Sequence, residues 1–238
     1  MKIEFIGHST FVIYLSSKIL LFDPFIKNNP FVSKKISDIY ADYILLSHGH
    51  DDHLGDTIKI AKKNKANVLA PFELGMYLKN KCKNITKLDL GGELEFDFGK
   101  IKMVKAVHSS SIIKKTIFNT NKIIYAGNAC GYLINTEGKT IYYSGDTAVF
   151  KDMELIKNST VSGIDIAIIS IGGRYTMGPD DALRAIDMLS PKKIIPMHYN
   201  TFPAISIKTD QLFKEIKDRN IELLDMRPGQ TIEVIDSM

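Results

Sequence analysis

Residues 48–53 read His-Gly-His-Asp-Asp-His and hold three of the chain's six histidines. They follow residues 43–46, an apolar Tyr-Ile-Leu-Leu run that reads as a buried strand, so the cluster hangs from a strand end. Imidazoles at i and i+2, a carboxylate at i+4 and another imidazole at i+5 cannot all point into a core. A tight turn can instead aim them at two adjacent cations, and Gly49 lets the backbone turn between His48 and His50 without a Cβ clash. Neutral imidazole and ionised carboxylate are ligands for borderline divalent metals, so the segment predicts a metal pair rather than a solvated histidine-rich turn.

Two-metal chemistry needs more ligands than one turn supplies. His108 follows the expected strand 100–107, Asp146 follows 140–143 in Ser-Gly-Asp-Thr, and His198 follows 192–196. Each lies just beyond a strand's carboxyl end, the edge where open α/β sheets gather their sites. The surrounding chain alternates strands and helices. Strands at 2–6, 10–15, 19–22 and 43–46 lead to a helix at 54–64, a strand at 67–70 and a helix at 71–81 with Pro71 in its first turn. Strands at 85–88, 92–96, 100–107, 131–135, 140–143, 164–171, 192–196, 221–224 and 231–235 follow, with helices at 179–189 and 207–219. No linker or charge block divides this rhythm and no solenoid period is present, which fits one domain over residues 1–238 made of two similar αβ halves. Residues 109–122 are the least regular internal stretch and read either as an active-site loop or as a surface hairpin tip.

Composition enters where it excludes partners. The formal charge is +4, and arginine occurs only at Arg174, Arg184, Arg219 and Arg227, so the bidentate forks that read phosphates and guanine edges are scarce and no nucleic-acid partner is expected. No stretch approaches the ~18 consecutive apolar residues of a spanning helix, so no membrane partner is expected either. Glu4 and His8 stand where a signal peptide's apolar region would run, which predicts a cytoplasmic protein. Cys82 and Cys130 form no CxxC pair and no disulfide framework.

With these motifs in place, the chain resembles the metallo-β-lactamase superfamily over essentially its whole length. It looks closer still to the branch of L-ascorbate-6-phosphate lactonase and related metal-dependent hydrolases, through Gly7-His8-Ser9, Leu21-Phe22-Asp23-Pro24, the run from Ile171 to Pro179 and Pro196-Met197-His198-Tyr199. The resemblance implies an α/β fold, a four-layer αβ/βα sandwich with two mixed sheets inside and helices outside. It implies that His48, His50 and His108 hold one metal, that Asp52, His53 and His198 hold a second, and that Asp146 bridges them. Histidine rather than glutamate at His50 argues against the diiron oxygen-reducing relatives, and the length leaves no room for the nuclease or glutathione-binding extensions of others.

The expected function is that of a dinuclear metal-dependent hydrolase whose metal-bound hydroxide attacks a small anionic lactone or phosphoester. The ions would be zinc, with manganese, iron or nickel as alternatives, and would lower the pKa of a shared water towards ~7. Asp146 fixes the metal separation in this scheme and Asp52 helps orient the water. A phosphodiesterase acting on nucleic acid or phospholipid, and a metal-binding or regulatory protein without turnover, stay open as alternatives. A homo-oligomer is possible. His8 reads as a proton donor or substrate contact against a satisfied core histidine. Arg174 and Tyr175 read as substrate contacts before a helix N-terminus, against a loop merely shaped by Gly172 and Gly173. Asp23 reads as the orienter of a ligand imidazole or as a strand terminator, Asp51 as solvent-facing, and Asp56 as a helix-start carboxylate or a partner of the ligands.

Overall fold

The alternation at residues 2–22 folds as a meander. β1 (Lys2–Gly7), β2 (Thr10–Tyr14) and β3 (Ile19–Phe22) pair antiparallel, and β4 (Tyr43–Leu45) joins β3 in parallel. The helix expected over 54–64 is two helices: α1 (Asp51–Leu54) stops at Gly55, and α2 (Thr57–Asn64) starts beyond Asp56. Gly55 takes φ +41°, and a Cβ there would lie 2.3 Å from the Pro24 carbonyl oxygen, so the backbone leaves the helix to pass that loop. Pro71 ends β5 (Asn67–Pro71) and caps α3 (Phe72–Leu78) from outside, its ψ of 149° being extended, where the sequence placed it inside the first turn. β6 (Asn84–Leu88), β7 (Glu93–Phe96) and β8 (Gly99–Lys105) follow.

Residues 109–122 fall on a hairpin, β9 (Ser111–Lys115) paired with β10 (Asn121–Tyr125). Beyond it come β11 (Cys130–Thr136), β12 (Lys139–Tyr143), α4 (Met153–Asn158), β13 (Ile166–Ser170) and α5 (Pro179–Leu189). The chain continues through β14 (Lys193–Met197), α6 (Asp210–Asp218), β15 (Glu222–Leu223) and β16 (Thr231–Glu233). This computed structural model describes residues 1–234, so Ile235, the end of the strand expected over 231–235, lies outside the described residues.

Met1–Leu90, Ser109–Ala129 and the segment from Arg227 form one compact unit, and Gly91–His108 with Cys130–Met226 form another. Among the described residues each unit carries a seven-stranded mixed sheet, in the order β16-β1-β2-β3-β4-β5-β6 and β7-β8-β11-β12-β13-β14-β15. Along both orders three antiparallel pairs give way to three parallel ones. The α/β class and the two mixed sheets are thus as the sequence predicts. In the first unit Ile44, Leu46, Val68 and Ala70 pack with Ile60, Leu74 and Leu78 of the helices; in the second, Ala167, Ile169 and Ile194 pack with Ala182, Ile186 and Leu189 of α5. Parallel strands covered in this way read as continuous apolar runs, which is why they were visible before folding.

Asp165 staples the second sheet where its parallel part begins. Its carboxylate accepts from the Thr140 amide and from Lys192 Nζ, both at 2.8 Å. Burial pushes this carboxyl up, but the lysine and the amide outweigh burial and hold it below the usual carboxylate range. A depressed folded-state pKa stabilises above the unfolded value, and that contribution is lost as pH falls through the folded one. Asp165→Asn is therefore expected to cost about 1–2 kcal/mol in urea unfolding at neutral pH, with the gap to wild type closing in acid below about pH 4. A gap that stays constant down to the acid limit would refute the charge-based account.

Candidate metal centre

In the first unit the ligand candidates sit around a buried hydrogen-bond relay. Asp23, at the end of β3, is completely buried and takes a left-handed φ of 40°. Its Oδ1 accepts the Ser47 amide at 2.8 Å, and its Oδ2 accepts the Ser47 hydroxyl at 2.5 Å and His53 Nδ1 at 2.7 Å. The Ser47 hydroxyl, having donated to Asp23, accepts from His48 Nδ1 at 2.9 Å. These partners assign the proton of both imidazoles to Nδ1, so Nε2 is the unprotonated nitrogen of His48 and of His53, the one suited to a metal. Asp23 is thereby placed as the orienter of an imidazole.

His48 Nε2 and His50 Nδ1 approach to 2.9 Å, the convergence of two nitrogens on one point. Gly49 makes this turn possible, because a Cβ on it would stand 2.5 Å from that of Ala126. Its amide donates to the Ser110 hydroxyl at 3.2 Å, and Ser109 Oγ lies 3.5 Å from His50 Nε2, which roots the β9–β10 hairpin on the histidine turn. His8 occupies the two-residue turn between β1 and β2 with φ 60°, a position that favours Asn or Gly. Its buried imidazole puts Nε2 3.2 Å from Asp52 Oδ2, and one donor atom each of His8, Asp52 and His53 lies within 4.8 Å of the others. Strained backbone of this kind is held only where the surroundings over-determine it.

In the second unit Asp146 follows β12 and His198 follows β14, each just past the carboxyl end of a strand in the parallel part of the sheet. Asp146 Oδ2 lies 3.0 Å from His198 Nε2 and 3.8 Å from His108 Nε2, so two imidazoles converge on one buried carboxylate oxygen. His198 also takes a left-handed φ of 57°. The loop from Gly172 to Gly178 is fastened beside this group. The Met177 amide donates to the Thr147 carbonyl at 3.0 Å, and a Cβ on Gly172 would stand 2.1 Å from the His198 carbonyl oxygen. Arg174 and Tyr175 are exposed on that loop, the guanidinium carbon 5.4 Å from the tyrosine ring centroid. Burial and the Asp225 carboxylate push the Tyr199 phenol well above its ordinary range, so it remains a protonated donor beside His198.

Two carboxylates stand apart from these groups. Asp51 is exposed. Asp56 accepts the Lys27 amide at 2.8 Å and the Ile26 amide at 3.3 Å, which makes it the brace of the loop after β3. Ser47 was not singled out from the sequence, because its role depends on Asp23, which no local spacing connects to it. The donor set of both units is nitrogen and oxygen only, the chemistry of zinc, manganese, iron or nickel, and the fixed tautomers of His48 and His53 fit such ions.

A family model described as the Beta-lactamase superfamily domain matches residues 2–198. A UPF0173 metal-dependent hydrolase of Anoxybacillus flavithermus is 44% identical over 234 residues, covering 98% of this chain and 100% of its own length. Another from Bacillus thuringiensis subsp. konkukian is 43% identical over 232 residues, with 98% and 100% covered. Among solved structures, a metallo hydrolase from the hyperthermophilic archaeon Ignicoccus hospitalis is similar at a TM-score of 0.84 and 28% identity over 97% of each chain. An isothiocyanate hydrolase from Delia radicum gut bacteria shares the fold at a TM-score of 0.75 and 21% identity, with 98% of this chain and 99% of that one covered.

Proposed function

The chain belongs to the metallo-β-lactamase superfamily and is a metal-dependent hydrolase, and from that premise we propose that it holds two divalent ions and cleaves a small anionic lactone or phosphoester. His48, His50 and His108 hold one ion in this reading, Asp52, His53 and His198 hold the other, and Asp146 serves both. Bound there, the ions supply Lewis acidity and a hydroxide nucleophile at neutral pH. The observation that carries the reading is the Asp23–Ser47 relay, which commits Nδ1 of both His48 and His53 and so presents both Nε2 atoms for ligation.

The remaining residues divide the work. His8, with its side chain buried against Asp52, positions that carboxylate rather than reaching substrate itself. Arg174, on the loop fastened to Thr147, receives the anionic part of the substrate, and the ring of Tyr175 supports its guanidinium. No serine or cysteine nucleophile is required. The two free, buried cysteines support a reducing, cytoplasmic setting.

The test is metal loading joined to a substrate panel. Metal-stripped protein reloaded separately with zinc, manganese, iron or nickel is expected to bind about two ions per chain by elemental analysis. The reloaded protein is then expected to hydrolyse members of a lactone panel or bis-p-nitrophenyl phosphate, and to stop when chelator is added. Fewer than about one ion per chain with every metal would sink the dinuclear assignment. Full loading without hydrolysis of any panel member would favour the regulatory alternative.

A further inference from the structure

The tip of the β9–β10 hairpin runs against the usual chemistry of a turn. The Asn119 amide donates to the Thr116 carbonyl at 3.0 Å, and Asn119 takes a left-handed φ of 58°. Central positions of such turns favour Asn, Asp, Gly, Ser or Pro, yet here they are Ile117 and Phe118, exposed by 93% and 81%. Behind the polar pair Lys115 and Asn121, Ile113 and its cross-strand partner Ile123, with Tyr125, are also exposed on one face. The other face carries Ile112 and Ile124 into the core of the first unit, so the hairpin is already anchored without the exposed side chains. One exposed apolar residue is ordinary, whereas two adjacent large ones at a tip, with three more on the strands behind it, mark an interaction surface.

Two further observations select the partner. The tip pairs part of its own backbone: the Thr116 amide donates to the Thr120 carbonyl at 2.8 Å, and the Phe118 and Thr120 amides both donate to Thr116 Oγ1 at 3.3 Å. A turn paired in this way carries fewer bare amides toward the headgroup boundary than an open loop would. The charge is one-sided as well. From Ser109 to Ala129 the chain carries Lys114, Lys115 and Lys122 and no Asp or Glu, and none of the three lysines joins an ion pair among the described residues. Lys114 and Lys122 stand directly opposite each other across the strands, on the face of Ile112 and Ile124, an arrangement of like charges that costs stability; Lys114 Nζ lies 4.9 Å from the Tyr77 ring centroid, and Lys115 lies on the face of Ile113 and Ile123.

We infer that this hairpin docks on an anionic lipid bilayer surface, with Ile117 and Phe118 entering the boundary between headgroups and acyl chains and the lysines resting on lipid phosphates. A second copy of the chain is the poorer occupant, because it would stack one lysine triad on another with no carboxylate between them. The expectation of no membrane partner rested on the lack of a span; a surface contact needs none, and no described helix is long and apolar enough to cross.

Flotation of the full chain with vesicles of phosphatidylcholine, with and without phosphatidylglycerol, tests this directly. Binding is expected only with phosphatidylglycerol, and is expected to fall as salt rises. Phe118→Ser is expected to weaken it about tenfold or more. Each of Lys114→Gln, Lys115→Gln and Lys122→Gln is expected to weaken it by roughly fivefold. All four exposed sites should leave the melting temperature nearly unchanged, so unfolding does not confuse the result. No flotation at low salt, or flotation undiminished by Phe118→Ser, would overturn the inference. So would self-association in the absence of lipid that Phe118→Ser abolishes, which would assign the tip to a second copy.

Discussion

Asp146→Ala is expected to reduce bound metal from about two ions per chain to fewer than one and to lower hydrolysis by ~10³-fold or more, about 4 kcal/mol of transition-state stabilisation. The reason lies in the second unit alone. One buried carboxylate oxygen faces His198 Nε2 at 3.0 Å and His108 Nε2 at 3.8 Å, so its removal takes away the only anionic member of that group and leaves two imidazoles facing each other. If Asp146 serves both ions, a single substitution must disturb both. His108→Ala should instead weaken chiefly one ion, leaving about one per chain. Elemental analysis and a chelator titration separate the two variants. An Asp146→Ala protein that retains both ions and the wild-type rate would refute the bridging assignment.

The second large effect is structural in origin and reaches the metal through a relay. Asp23→Ala removes the acceptor of the Ser47 amide, the Ser47 hydroxyl and His53 Nδ1, all buried. Stranding such donors costs roughly 3–5 kcal/mol in total, measurable by urea unfolding of metal-free protein. His53 also loses the partner that fixes its tautomer, so metal affinity should fall a further ~10–100-fold in the molecules that remain folded. Asp23→Asn keeps the volume and one acceptor. It should therefore recover much of the stability but little of the affinity, and this split distinguishes orientation of a ligand from mere termination of a strand. Wild-type affinity in a folded Asp23→Ala protein would contradict the relay.

Legibility in the sequence followed the range of the interactions. The histidine turn was visible because five of its six residues carry metal-binding or carboxylate chemistry over one short span, and α5 because Pro179 and a regular apolar period announce it. His108, Asp146 and His198 were visible because they follow strands that read as such. The break at Gly55 was not, since its cause is the Pro24 carbonyl, brought there only by folding. Nor was α4, too short for its period to register, and the hairpin at 111–125 was legible only as one of two readings, because its strands are exposed on one face and joined by a turn without glycine. Asp56 shows the same limit from the other side: it does stand at the start of α2, as one of its two readings had it, but its carboxylate is claimed by the amides of Ile26 and Lys27.

The pairing of β1 with β16 bears on how the chain is made. Lys2 stands opposite Glu233, so β1 waits for a strand far downstream in the chain before its edge is closed. The division into units adds to the delay, since the first unit draws on three separate stretches of sequence and the second on two. Neither sheet can be finished before β15 and β16 have been made. Contacts so distant in sequence fold slowly, and during that interval the open edge of β1 is a template for pairing with another nascent chain. Yield in a heterologous host should accordingly depend on chaperone supply and translation speed more than the stability of the finished protein would suggest.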